Sequence, residues 1–148
     1  MSLLANLLNQ EDVLLTVDAP NKKRLFETVA SAIESHHGLS ASVVNDSLHA
    51  RERLGSTGLG EGIAIPHGRI KGLQQAIGLF VRPKLALPFD SPDGRAVDQI
   101  FVLLVPQQAT DHHLLILSEL AQKFSDKNFR EQLRACTDPQ GVVALFAN

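Results

Sequence analysis

The residues best able to do chemistry stand in one stretch, Gly55 to Arg69, which reads GSTGLGEGIAIPHGR. Five of its fifteen residues are glycine, so the backbone can take positive φ and come close to a ligand. Successive amide N–H groups in such a loop can form an anion-binding nest, with Gly55, Ser56, Thr57, Gly58, Gly60, Gly62 and Gly68 as the candidate phosphate-binding residues. The glycines lead directly to Pro66, His67 and Gly68. Pro66 lacks an N–H and fixes its own φ, while Gly68 removes a side chain that would shield the imidazole. Arg51 and Arg53 precede the stretch and Arg69 closes it. A guanidinium's planar fork suits phosphate oxygens, so the setting is one for phosphate chemistry.

His67 suits the acceptance of a phosphoryl group. Its reference pKa of about 6.5 leaves neutral, nucleophilic imidazole well populated near pH 7. One ring nitrogen would attack phosphorus while the other keeps its proton in a hydrogen bond that fixes the tautomer. Loop N–H groups and an arginine would serve the phosphoryl oxygens, and the scheme calls for no metal and no cofactor. A tight turn carrying a surface histidine also accounts for the glycines taken alone. The flanking cations and the direct run into Pro66-His67-Gly68 favour the phosphate reading.

Nucleotide loops do not fit. No Gly-Lys pair occurs, which excludes a Walker loop, and a dinucleotide fingerprint begun at Gly58 and Gly60 would need glycine where Ile63 stands. Among the other histidines, His113 stands beside His112 at an expected helix start, where a solvated or capping residue is the common case. A metal site from His67, His112 and His113 is weakly supported, since helix neighbours point about 100° apart. His36 and His37 end a helix, where positive charge is favoured, and His49 and Cys136 read as structural. Arg51 and Arg53 are two apart on a helix, so at most one faces the site.

The elements that must position His67 follow from caps and periodicity. Leu3, Leu4, Leu7 and Leu8 have helical spacing after Ser2. Asn21 caps a helix to about His36 with Leu25, Phe26, Val29, Ala30 and Ile33 inward and Gly38 at its end. Ser40 caps a second, with Val43, Val44 and Leu48 inward, stopped by Gly55. Asp12 to Val17, Ile63 to Ile65, Ala76 to Val81 and Val97 to Val105 are the strand candidates, the last apolar enough to be covered on both faces. Irregular structure is expected to concentrate between Gly55 and Gly94. Thr110 or Asp111 starts a helix to Phe124, Asp126 one to about Ala135, and Asp138-Pro139 a final one. Helices before and after the strands predict an α/β domain with a central sheet between helices.

With 148 residues, one domain spanning 1–148 is expected. Fourteen Lys and Arg against sixteen Asp and Glu give a net charge of -2, no basis for nucleic-acid or anionic-membrane binding. The longest apolar run, Ile100 to Val105, is six residues, against the roughly 20 of a membrane span. No basic residue precedes Lys22, as a signal peptide would require, and the lone Cys136 fits a reducing compartment, so a cytoplasmic location is expected.

The run from Arg51 through His67 to Arg69, with Leu103-Leu104-Val105-Pro106 and the helix after it, resembles the fructose/mannitol-type IIA proteins of the bacterial phosphotransferase system, most of all their nitrogen-regulatory branch. The likeness extends from Leu3 to about Phe146. It implies the mannitol-type IIA fold, a mixed sheet between helices, and phosphorylation of His67 on its tele nitrogen by an HPr-like phosphocarrier. It also implies that Arg51 lies near the phosphohistidine and that His113 faces it, donating a ring N–H. The expected output is regulatory, through targets such as potassium-transport proteins or sensor kinases. The alternative is a sugar-transport IIA that passes phosphate to a IIB domain. Such modules are often fused to further domains, whereas this chain ends soon after its last expected helix. A phosphate-binding or hydrolytic enzyme using His67 as a base is the remaining class, and it lacks a paired acid or metal set.

Overall fold

The computed structural model describes residues 3–108 and 110–148. After a short 3-10 turn at Gln10–Asp12 come β1 (Val13–Val17), α1 (Lys22–His37) and α2 (Ala41–Arg53). Four strands follow, β2 (Gly58–Gly60), β3 (Ile63–Ala64), β4 (His67–Ile70) and β5 (Ile77–Pro83), then β6 (Gln99–Pro106). Three helices close the chain: α3 (Asp111–Ser125), α4 (Lys127–Ala135) and α5 (Pro139–Ala147). The caps read from the sequence are in use. Asn21, Ser40, Asp126 and Asp138 each accept a backbone N–H in the first turn of their helix, and Gly38 ends α1 at φ +74.

The sheet is mixed, in the order β1-β5-β6-β3-β2, with β4 also on β6. β1 is parallel to β5, β5 antiparallel to β6, and β3 and β4 both parallel to β6. β3 pairs with Gln99 and Ile100, and β4 with Leu103 to Pro106. The two therefore lie in line on one edge of β6, interrupted at Ile65 and Pro66. That interruption places His67 at the start of β4.

β6 shows why its run is apolar throughout. Ile100, Val102 and Leu104 pack with Leu25, Phe26, Val29 and Ile33 of α1 and Val44 and Leu48 of α2. Phe101, Leu103 and Val105 point the other way, to Ile116, Leu120 and Phe124 of α3 and the residues of α4 and α5. Alternation on a strand buried on both faces produces this split. On the second face the Phe146 ring centroid lies 5.0–5.9 Å from those of Phe80, Phe101, Phe124 and Phe129. Such aromatic pairs add about 0.5–1.5 kcal/mol each beyond burial, which fixes α5 on the sheet.

Two expectations are corrected. Leu3 to Leu7 form turns rather than a helix; the Leu7 carbonyl accepts the Gly78 N–H, and Leu4, Leu7 and Leu8 are buried. The proposed Ser2 cap lies outside the described residues. The glycine-rich stretch is also more regular than expected, since it contains β2 and β4. His67 therefore sits on a strand and not in an open loop.

Candidate functional site

Three elements meet at His67: the first residue of β4, the last turn of α2 and the first turn of α3. α2 reaches β4 through Gly68. A Cβ there would lie 2.2 Å from Ser47 Oγ and 3.3 Å from the Ser47 carbonyl carbon, so only glycine allows this approach. Ser47 Oγ donates to the Arg69 carbonyl at 3.0 Å, pinning the helix across the strand. One turn further along α2, Arg51 reaches His67. Gly68 thus acts through helix docking, where the sequence suggested that it unshields the imidazole.

The imidazole is held by both nitrogens. Nδ1 lies 2.8 Å from the Ile65 carbonyl, which can only accept, so Nδ1 carries the proton. Arg51 Nε donates to Nε2 at 3.3 Å, and a guanidinium can only donate, so Nε2 presents its lone pair. The two contacts independently specify one neutral tautomer. Burial lowers the His67 pKa below its ordinary value. The Ile65 bond opposes this, the Arg51 charge adds to the lowering, and Glu52 opposes it more weakly. A neutral imidazole with its lone pair on Nε2 is the nucleophilic form.

Arg51 is itself oriented, because its Nη1 donates to the Gly55 carbonyl at 2.7 Å. His113 lines the same cavity as His67, Arg51, Arg69 and Lys71. Its Nδ1 accepts the Thr110 backbone N–H at 3.1 Å, part of the cap of α3. In the neutral ring that leaves the proton on Nε2, as a donor. The capping role and the donor role are therefore compatible: one nitrogen serves each. The His112 ring packs edge-on to His113, centroids 5.6 Å apart, and among the described residues no group of three His, Cys, Asp or Glu is placed to hold a metal ion.

Several amides of the glycine loop are bonded within the protein. The Thr57 N–H goes to Glu52 and the Gly58 N–H to Ser56 Oγ, whose own proton goes to the Phe89 carbonyl. Gly60 and Gly62, at φ +93 and +79, shape the turn between β2 and β3. There the Glu61 N–H goes to Asp93, and its carbonyl takes Arg134. A Cβ at Gly62 would meet Asp98 and Arg134 at 2.6 Å. Ser56 and Thr57 do line a second cavity with His67 and Arg51, whereas Gly60 and Gly62 border neither. The amides of Gly55, Thr57, Gly58, Glu61 and Ile65 are bonded to protein acceptors, and the donor at Nε2 is the Arg51 side chain. Arg53 is exposed beyond the site, while Arg69 lines the first cavity.

One feature of the surroundings was not read from the sequence. Among the described residues six large apolar side chains are exposed, and Val43, Leu54, Leu59 and Leu114 of these border the two cavities at His67, Leu54 at 85% exposure. Exposed leucines at helix ends carry no sequence signal that separates them from core positions. Exposed apolar side chains around a reactive group suit contact with another protein.

Comparison with known proteins places this geometry. The family model described as "Phosphoenolpyruvate-dependent sugar phosphotransferase system, EIIA 2" matches residues 6–148. The nitrogen regulatory protein of Klebsiella oxytoca is 41% identical over 144 residues, covering 97% of this chain and 89% of that protein. The nitrogen regulatory protein IIA-Ntr of Neisseria meningitidis superposes with a TM-score of 0.92 at 46% identity, over 98% of this chain and 99% of the other. The mannitol IIA of Escherichia coli shares the fold, with a TM-score of 0.78 at 21% identity, over 95% and 99%. The mixed sheet between helices expected from the sequence is thus the fold of both.

Proposed function

The chain belongs to the EIIA 2 family of the phosphotransferase system, and from that premise we propose that it is a phosphoryl-relay regulator of the nitrogen-regulatory kind. It accepts a phosphoryl group on His67 Nε2 from an HPr-like phosphocarrier and signals its state to protein targets. The observation that carries this reading is the fixed tautomer: Nδ1 is tied to the Ile65 carbonyl and the Nε2 lone pair lies under Arg51.

In the transfer, the Nε2 lone pair forms a bond to phosphorus as the bond to the donor carrier breaks and its electron pair leaves with the carrier. The proton stays on Nδ1, donated to the Ile65 carbonyl, so the ring needs no base. Arg51 turns from the lone pair to the phosphoryl oxygens, and the His113 Nε2–H can serve another. Both bring hydrogen-bond donors to the developing charge. The apolar rim of Leu54, Leu59 and Leu114 supports a protein as donor, since it offers a carrier surface to dock on. With the Nδ1 proton retained, the transfer adds a net single negative charge, a dianionic phosphoryl group on a cationic ring, among Arg51, Arg69 and Lys71, which changes the surface that a target meets. Potassium-transport proteins and sensor kinases are the target classes proposed. A cytoplasmic location follows from this role.

Transport use of the same site, with phosphate passed to a IIB domain, is the second reading. Identities of 33–46% to nitrogen regulatory proteins, against 13–32% to mannitol and fructose proteins, favour regulation. Incubation with a phosphocarrier charged from phosphoenolpyruvate is expected to give one acid-labile, base-stable phosphoryl group per chain, and none in His67→Ala. Stoichiometric labelling of His67→Ala overturns the assignment, and rapid onward transfer to a IIB domain favours transport.

A further inference from the structure

The Glu52 carboxylate is a charged group beside the site that the transfer itself does not use. It is buried, with 7% of its side chain exposed. Oε1 accepts the Thr57 hydroxyl at 2.6 Å. Oε2 accepts the Thr57 backbone N–H at 3.1 Å and the Lys22 ammonium at 2.8 Å. Lys22 is the first residue of α1, and its ammonium also sits over the Phe89 ring, 4.5 Å from the centroid. A buried carboxylate is costly unless so satisfied, and here three donors converge on it from two segments.

Two hydrogen-bond paths run from this carboxylate to the imidazole. In the first, its grip on Thr57 closes the turn after α2, in which the Gly55 N–H also donates to the Glu52 carbonyl at 3.2 Å. The Gly55 carbonyl is thereby fixed, and it takes Arg51 Nη1 at 2.7 Å, leaving Nε aimed at His67 Nε2. In the second, the Thr57 carbonyl accepts the Ile65 N–H at 3.1 Å, and the Ile65 carbonyl accepts the His67 Nδ1 proton at 2.8 Å. The orienting partner of each imidazole nitrogen is thus referred back to one carboxylate.

We propose that Glu52, held by Thr57 and Lys22, is a positioning residue of the phosphoryl acceptor: it sets the His67 tautomer through Ile65 and the place of the Arg51 guanidinium through Gly55. The role rests on the reading of His67 as acceptor given above. Its charge also opposes the lowering of the His67 pKa, as does the Ile65 bond. Loss of either lets that pKa fall further.

Two variants and two readouts test this. Glu52→Gln keeps the shape but replaces one of the two acceptor oxygens by an amide donor and removes the charge paired with Lys22. Thr57→Val removes the hydroxyl at constant volume, and Thr57→Ser keeps it as the conservative control. Imidazole nitrogen spectra at pH 8 report the tautomer ratio with no phosphoryl donor present, and labelling by a charged phosphocarrier reports the rate. Wild type and Thr57→Ser are expected to show the Nδ1–H tautomer alone. Glu52→Gln and Thr57→Val should show a mixture, with labelling in Glu52→Gln slower by about 10²-fold, the scale of a misplacement near 1 Å. The acid limb of its rate profile should move to lower pH. Folded variants with the wild-type tautomer and rate overturn the role, and if Glu52→Gln does not fold, Thr57→Val decides. A mixed tautomer in the variants of a protein that takes no label supports the positioning role and overturns the acceptor reading instead.

Discussion

Two histidine sites in this chain use opposite partners. At the end of α1, His36 Nδ1 and His37 Nε2 lie 3.0 and 2.8 Å from the two oxygens of Asp12, a carboxylate 1% exposed. At the start of β4, His67 meets a neutral carbonyl on one nitrogen and a cation on the other. An ionised carboxylate can only accept, so the ring nitrogen that faces it carries a proton and has no lone pair to offer there. A carbonyl fixes the tautomer without supplying charge, and a neighbouring guanidinium opposes protonation. The first arrangement fastens a helix end to the 3-10 turn before β1. The second keeps a lone pair available. Residue type is the same in both, so partner chemistry decides which histidine is structural and which reactive.

Replacing the cation is the strongest way to break this contrast. Arg51→Ala removes a donor aimed at the phosphoryl oxygens, and loss of one such donor costs about 10²–10³ in rate. It should also alter the pH dependence. Burial remains the main influence holding the His67 pKa down, but Arg51 contributes in the same direction. Without it the pKa rises, the neutral fraction falls sooner on acidification, and the acid limb of labelling shifts to higher pH. Glu52→Gln is expected to shift it the other way. Rates of labelling between pH 5 and 8 measure both, and a limb that does not move in Arg51→Ala removes the electrostatic half of the comparison.

His113→Ala should have a smaller effect. It removes one donor to the phosphoryl group, and a hydrogen bond to a charged group is worth roughly 1.5–3 kcal/mol, so at the lower end a slowing of about 10-fold is expected. The same change removes the acceptor of the Thr110 N–H at the start of α3. His113→Asn, which can still accept from Thr110, should recover the melting temperature more fully than the rate. Equal recovery of both would assign His113 to the cap alone.

Helix ends were the most legible part of the fold, because each carries a local signal. Asn21, Ser40, Asp126 and Asp138 are short acceptors within three residues of the N–H they satisfy. β4 was not legible: His67-Gly68-Arg69-Ile70 has poor strand propensity, and it is a strand because β6 pairs with it from more than thirty residues away. The leucines from Leu3 to Leu8 misled by their helical spacing, since a single turn from the Leu7 N–H to the Leu4 carbonyl forms and their burial is against β5 and the core. Within the site, His67 could be read from composition and order, whereas only the family resemblance separated Arg51 from Arg53. The fate of the loop amides could not be read, because it depends on Glu52, Ser56 and Asp93, side chains whose direction only the fold determines.

The smallest expected effect on labelling is the sharpest check on the comparison. Asp12→Asn keeps the buried volume but replaces one acceptor oxygen by an amide donor facing a ring nitrogen. Loss of a hydrogen bond to a charged group predicts destabilisation of roughly 1.5–3 kcal/mol, measured by denaturant unfolding. Labelling of His67 should keep the wild-type rate and pH profile. The two regions are nonetheless joined by one element, since α1 presents Lys22 to Glu52 at its first residue and His37 to Asp12 at its last. Sixteen helical residues separate those ends by roughly 24 Å at 1.5 Å per residue. The contacts between them are core packing, which resists a shift of the whole helix. If Asp12→Asn slows labelling in proportion to its loss of stability, α1 moves as a rigid rod between clasp and site. The structural histidines would then act on the reactive one through Lys22 and Glu52.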